Sequence, residues 1–131
     1  MLDTIKNFNS IVPLKQDNEK SCYASMLNKE TGKINWQAKG LDIYNLIRGL
    51  NPSPGAYFIY KGEKVKVFSA EIIEEKKELP GEIIAVDKTG LKIGAIDSTI
   101  NIKVFQFPSS KSLTVEEYIK GHNIETSQIL I

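Results

Sequence analysis

The sequence predicts a mainly β, α+β fold: a small β-barrel with flanking helices, preceded by an N-terminal helix and a linker. Three observations carry this prediction. Short apolar runs separated by turn residues recur at close spacing from residue 56 to residue 107. An apolar stripe at helical spacing precedes them and stops at Asn51-Pro52. A helix-start pattern, Thr114-Val115-Glu116-Glu117, follows them.

Taken in order, Leu2, Ile5, Phe8 and Ile11 recur every third residue and predict a short amphipathic helix over 2–11, ending near Pro13. A helix of this length is marginal alone, so its apolar face calls for a partner. Residues 13–31 are mixed and polar with little periodicity, as expected of a linker or extended arm. The second helix is expected to be capped by Asn35 and to carry Trp36, Ile43, Leu46, Ile47 and Leu50 on one face, with Gly40 in its interior. Two prolines and a glycine in Asn51-Pro52-Ser53-Pro54-Gly55 then make a rigid turn in which Gly55 can take a positive φ.

Strands are expected over 56–60 and 64–68, joined at Lys61-Gly62-Glu63 as a hairpin. The charged run Glu74-Glu75-Lys76-Lys77-Glu78 reads as a solvated loop tip. Further strands over 82–86, 91–96 and 99–107 bring the count to five or six, which suits a small barrel. In the capping box at Thr114, the hydroxyl and the Glu117 carboxylate each serve a backbone N–H that would otherwise go unpaired. The helix it opens ends near Gly121.

Composition limits the chemistry. With 131 residues, 41% hydrophobic and 25% charged, the chain matches one ordinary globular domain. A formal net charge of +1 leaves nucleic-acid binding to the distribution of charge rather than its total. A single cysteine, Cys22, and a single histidine, His122, exclude a Cys/His zinc site. Neither GxGxxG nor GxxxxGK[ST] occurs. No signal peptide or membrane-length apolar run is present, so the expected location is the reducing cytoplasm, with no membrane partner.

Ile34-Asn35-Trp36, Ile47-Arg48-Gly49 and Asn51-Pro52-Ser53-Pro54-Gly55-Ala56-Tyr57 together resemble the signature that opens the C-terminal domain of methionyl-tRNA formyltransferases. Lys64-Val65-Lys66-Val67-Phe68-Ser69-Ala70 and Pro80-Gly81-Glu82-Ile83 resemble that family's second and third strands. Gln106 with Lys111, Leu113, Thr114 and Glu117 resembles a later passage, although Pro108-Ser109-Ser110-Lys111 lacks the family's glycine before the lysine. Gln16, Ala24 and Lys29 resemble the segment leading out of the catalytic domain.

The resemblance implies an OB-like barrel over 32–131, with 1–31 as the end of an absent catalytic domain and the interdomain linker. Met1 then reads as a boundary within a longer protein as readily as a natural start. The whole enzyme transfers a formyl group from formyl-tetrahydrofolate to initiator methionyl-tRNA, using an Asn, a His and an Asp in its N-terminal domain. His122 lies far downstream of where that histidine is expected, so this chain alone is expected to lack catalysis, cofactor and metal. Its expected partners are initiator methionyl-tRNA and the N-terminal catalytic domain, not DNA.

Holding tRNA by its backbone requires cations on one face. Lys64 and Lys66 alternate with Val65 and Val67, so the lysines should point outward together, with Lys61 at the adjoining turn as the third member of a patch. Lys103 is an outward position on the last long strand. By resemblance, Lys111, Arg48, Lys29 and Lys33 are the other candidates. Any half-exposed strand also alternates Lys with Val, and an arginine at a helix end often serves only local carbonyls or carboxylates. Trp36 and Tyr57 are candidates for base stacking, with Trp36 better suited to the core. Two other readings remain open: the C-terminal domain of a sugar-nucleotide formyltransferase, and an OB-like scaffold that binds no RNA.

Overall fold

A computed structural model describes residues 2–73 and 79–131, so the charged run 74–78 lies outside the described residues. Helix α1 spans Leu2–Lys6, shorter than the predicted 2–11, and a separate 3-10 turn covers Phe8–Ser10. None of the described residues before Gly32 is buried; Leu2, Ile5 and Phe8 stay largely in solvent. Residues 13–31 contain one further 3-10 turn, Asn18–Lys20, and a turn over residues 28–31 in which Asn28 Oδ1 accepts from the Glu30 and Thr31 N–H groups; the rest is exposed and without helix or strand.

The compact part begins at Gly32. Gly32, Ile34 and Trp36 are buried while Lys33, Asn35 and Gln37 are exposed, a period of two that marks extended chain rather than helix. Helix α2 therefore starts later than predicted, at Gly40, and runs to Leu50 with Ile43, Ile47 and Leu50 buried. Asn35 caps only a local turn, accepting from the Gln37 N–H at 3.0 Å. The cap of α2 comes from Asp97, whose Oδ1 accepts from the Gly40 N–H at 2.8 Å across 57 residues of sequence.

Six strands follow: β1 (Ala56–Tyr60), β2 (Glu63–Ile73), β3 (Ile83–Asp87), β4 (Gly90–Gly94), β5 (Thr99–Gln106) and β6 (Leu113–Thr114). They form one antiparallel sheet in the order β1-β2-β5-β4-β3, with β6 also on β5. No pairing among the described residues joins β1 to β3, so the expected barrel is an open, OB-like one. The first half of β2 pairs with β1 and the second with β5, and register shifts between Val67 and Ala70 let the strand bend from one to the other.

Both outer edges of the sheet are covered. On β1, Tyr57 N–H donates to Gly32 O and Ile34 N–H to Tyr57 O, each at 2.8 Å. Beside β3, the C-terminal chain exchanges hydrogen bonds through Ser127, Gln128 and Leu130. These contacts satisfy backbone groups that would otherwise invite pairing with another chain. A single apolar core joins Ile43 and Ile47 of α2 to Phe58, Val65, Val67, Leu91, Ile93, Ile100, Ile102 and Phe105 of the sheet. Helix α3 (Val115–Ile119) closes the far side, and the capping box predicted at Thr114 is formed in full.

Candidate functional site

Backbone pairing brings together candidates that lie far apart in sequence. Lys33 bridges Tyr57, Tyr57 stands opposite Lys66, and Lys66 stands opposite Gln106. Directly opposed residues share a face, so Lys33, Tyr57, Lys66 and Gln106 form one row across the outer surface. Lys64 stands two residues from Lys66 on the same face, opposite Ile59. Val65 and Val67 point into the core, as their alternation with the lysines predicted. Lys33 and Lys66 are two strand spacings apart, roughly 10 Å.

The row borders a groove of about 280 Å³ lined by Lys64, Lys66, Gln106, Phe107, Pro108 and Ser109. Gln106 Nε2 donates to Ser110 O at 2.6 Å, which folds the following loop back on its own strand. Lys64 Nζ lies 3.7 Å from the centroid of the Tyr57 ring, a cation–π contact that aims the ammonium. Among the described residues neither Lys64 nor Lys66 forms an ion pair, so both charges remain available to an anion.

Other predicted cations are differently placed. Lys61 takes a left-handed φ of 49° at the hairpin turn, and its Nζ lies 2.7 Å from Glu125 Oε1. That hydrogen bond raises the Lys61 pKa above its ordinary value. Lys103 Nζ donates to Thr89 O at 2.7 Å and lies 3.2 Å from Glu71, so its charge is committed to the turn after β3. Arg48 is exposed on α2 over the Tyr44 ring at 5.6 Å. Lys111 is exposed on the loop beyond Ser109, and Lys29 is exposed in the turn just ahead of Lys33.

The two aromatic candidates are both covered. Trp36 packs edge-on against Phe58 at 6.0 Å, and Tyr57 lies beneath Lys64 with only 9% of its surface exposed. Another set of rings was not singled out from the sequence. Phe107 stacks on Tyr118 at 4.9 Å and 5°, and Tyr118 stacks on His122 at 4.5 Å and 17°. Burial raises the Tyr118 pKa. The i,i+4 spacing of Tyr118 and His122 was the available sequence signal, masked because Gly121 reads as a helix stop.

Carboxylates serve mainly as caps and turn acceptors. Asp97 and Glu117 are held below their ordinary pKa values chiefly by backbone N–H donors, from Gly40 and Thr114 respectively. Asp87 is held well below the carboxylate range by the Thr89 hydroxyl first and then by the Lys92 ammonium at 2.9 Å. Among the described residues no three His, Cys, Asp or Glu side chains gather as a metal-binding group. None of their helices is long and apolar enough to cross a membrane.

Residues 26–123 match the family model described as formyl transferase, C-terminal domain. The chain is 52% identical over 122 residues to the methionyl-tRNA formyltransferase of Clostridium tetani (strain Massachusetts / E88), covering 92% of this chain and 39% of that protein. It is 45% identical over 133 residues to the methionyl-tRNA formyltransferase of Clostridium perfringens (strain SM101 / Type A), covering 99% of this chain and 43% of that protein. This chain thus spans about two fifths of the length of the curated relatives it matches. Among solved structures, HypX from Aquifex aeolicus in complex with tetrahydrofolic acid shares the fold. The TM-score is 0.63 and the identity 22%, over 92% of this chain and 22% of that one.

Proposed function

This chain belongs to the formyl transferase C-terminal domain family, and from that premise we propose that it is the tRNA-holding module of a methionyl-tRNA formyltransferase. In this reading it grips initiator methionyl-tRNA by its backbone and presents the aminoacylated end to an N-terminal catalytic domain, in the cytoplasm. That domain transfers the formyl group from formyl-tetrahydrofolate. Residues 1–31 act as the end of the catalytic domain and the connection to it. The exposure of Leu2, Ile5 and Phe8 supports this, since an apolar helix face in solvent calls for a partner.

The row Lys33-Tyr57-Lys66-Gln106, with Lys64 beside it, is the observation that carries the reading. It supplies three ammonium groups on one face beside a groove, without acidic partners among the described residues. A phosphate backbone requires that arrangement, and attraction of this kind releases counterions as it binds. Lys29 and Lys111, both exposed, are further candidates for contact with the same backbone.

Binding of initiator tRNA measured at several salt concentrations tests the proposal. Replacing Lys64 and Lys66 together by Ala should weaken binding and flatten the log–log salt slope by about 1.4 to 1.8, since each lost phosphate contact removes roughly 0.7 to 0.9. An unchanged slope and affinity would remove both residues from the interface. Absence of RNA binding at low salt would instead favour a sugar-nucleotide enzyme or a scaffold.

A further inference from the structure

We infer that His122 is a stacking platform for an unpaired nucleobase of the bound RNA, an inference that rests on the tRNA-holding reading above. Three rings, Phe107, Tyr118 and His122, form one continuous stack with interplanar angles of 5° and 17°. Its inner end is fixed: Phe107 meets Phe105 at 5.5 Å and Tyr60 at 6.3 Å, both edge-on and both buried residues. His122, the outer end, is exposed. One face of the imidazole rests on Tyr118, and no other ring among the described residues covers its second face. A stack held at one end and open at the other is already oriented to receive one more flat aromatic group.

The surroundings favour a base over other flat ligands. His122 lines a groove of about 470 Å³ together with Val86, Ile119, Asn123, Glu125 and Thr126. Apolar walls from Val86 and Ile119 suit the faces of a base, while the Asn123 amide offers both a donor and an acceptor to its edge. Glu125 is engaged by Lys61 at 2.7 Å, so the groove presents little free charge of either sign. Phosphates have their own place: Phe107 also lines the groove that carries Lys64 and Lys66. One ring therefore borders both the groove of the cationic row and the aromatic stack, so a strand held on the lysines passes beside the stack and can set a base of a neighbouring nucleotide on its outer end.

The only histidine of the chain makes the test direct, because its imidazole C–H protons give a single identifiable pair of NMR signals. Adding initiator tRNA should move that pair upfield through the ring current of the stacked base. His122→Ala should lower tRNA affinity about tenfold, as losing one aromatic–base stack does, with an unchanged salt slope because stacking releases no counterions. His122→Phe should keep the affinity within about twofold, and a fully paired RNA duplex should bind both variants like the unaltered chain. Binding of tRNA with the imidazole signals unmoved and His122→Ala at full affinity would overturn the stacking site while leaving the lysine row intact. An equal loss on tRNA and duplex would overturn it too. Failure of the unaltered chain to bind tRNA at all would overturn the parent reading, and the inference with it.

Discussion

Lys61 and Glu125 are joined by a 2.7 Å ion pair across 64 residues of sequence, linking the β1–β2 turn to the chain beyond α3. In the same place Glu125 N–H donates to the Tyr60 hydroxyl at 3.0 Å. The pair is solvent-exposed, so it adds little to stability. Its consequence lies in which charge it removes from the surface proposed to face RNA. Glu125→Gln should free the Lys61 ammonium, raising tRNA affinity and steepening the log–log salt slope by about 0.7 to 0.9. Lys61→Ala alone should change binding little. The salt series reads both variants, and a strong loss in Lys61→Ala would show that Lys61 reaches RNA despite Glu125.

Lys103 should part company with Lys64 and Lys66. Its ammonium bonds Thr89 O at 2.7 Å and Glu71 at 3.2 Å, tying β5 to β2 and to the Asp87–Gly90 turn. Lys103→Ala should leave the tRNA salt slope unchanged and cost about 0.5 to 1 kcal/mol of folding stability. Urea unfolding and tRNA binding on the same variant separate the two roles.

Gly40 opens α2 yet should not tolerate the best helix former. A Cβ at this position would collide with Ser98 Oγ, because the helix starts against the Asp97-Ser98 turn. At this first helical position alanine gains less than the roughly 0.8 to 1 kcal/mol it would in a helix interior, while overpacking of this kind costs about 1 to 3 kcal/mol. Gly40→Ala should therefore destabilise the chain in urea unfolding. Adding Ser98→Gly should recover most of the loss, a coupling that independent sites would not show.

These relationships explain which parts of the fold were legible in the sequence. The turn at Asn51-Pro52, the capping box at Thr114 and most strands are set by local periodicity and turn chemistry and lie close to where the sequence placed them, but β2 runs on to Ile73, past the expected 64–68, because its second half is held by pairing with β5. The start of α2 is not local: Asn35 carries the right side chain for a cap, but Asp97 arrives from the far end of the sheet and sets the boundary at Gly40. Trp36 fits a helical stripe numerically, while its burial with Gly32 and Ile34 follows a period of two.

At the candidate site, the outward facing of Lys64 and Lys66 was readable from alternation with valine. Which lysines keep a free charge was not, because Glu125 and Glu71 reach Lys61 and Lys103 only through tertiary pairing. Lys33 was a candidate only by resemblance, and its bridge to Tyr57 is what puts it in the row. The inner part of the aromatic stack was hidden for a similar reason, since Phe107 and Tyr118 meet through the packing of α3 on the sheet.

Asp97 should leave its signature in acid. Its carboxylate accepts from the Gly40 N–H at 2.8 Å and from the Ser98 hydroxyl at 3.0 Å, and the first of these is the main reason its pKa falls below the ordinary 3.8. A depressed folded-state pKa means that the unfolded chain takes up the proton first as pH falls. The stabilisation is therefore complete above the ordinary carboxylate value and drains away as pH drops through the folded-state value. Glu117, held down by the Thr114 N–H, contributes with the same sign. Asp97→Asn keeps an oxygen acceptor for Gly40 but cannot titrate, so its melting temperature should fall less steeply than that of the unaltered chain below about pH 4. Asp97→Ala removes the acceptor as well and should melt about 4 °C lower at neutral pH, the usual effect of a lost helix cap. Thermal melts of the three proteins from pH 2 to pH 7 distinguish the roles. If Asp97→Asn and the unaltered chain shared one acid branch, the sensitivity would belong to Glu117 and Asp87, and the cap at Gly40 would be insensitive to charge.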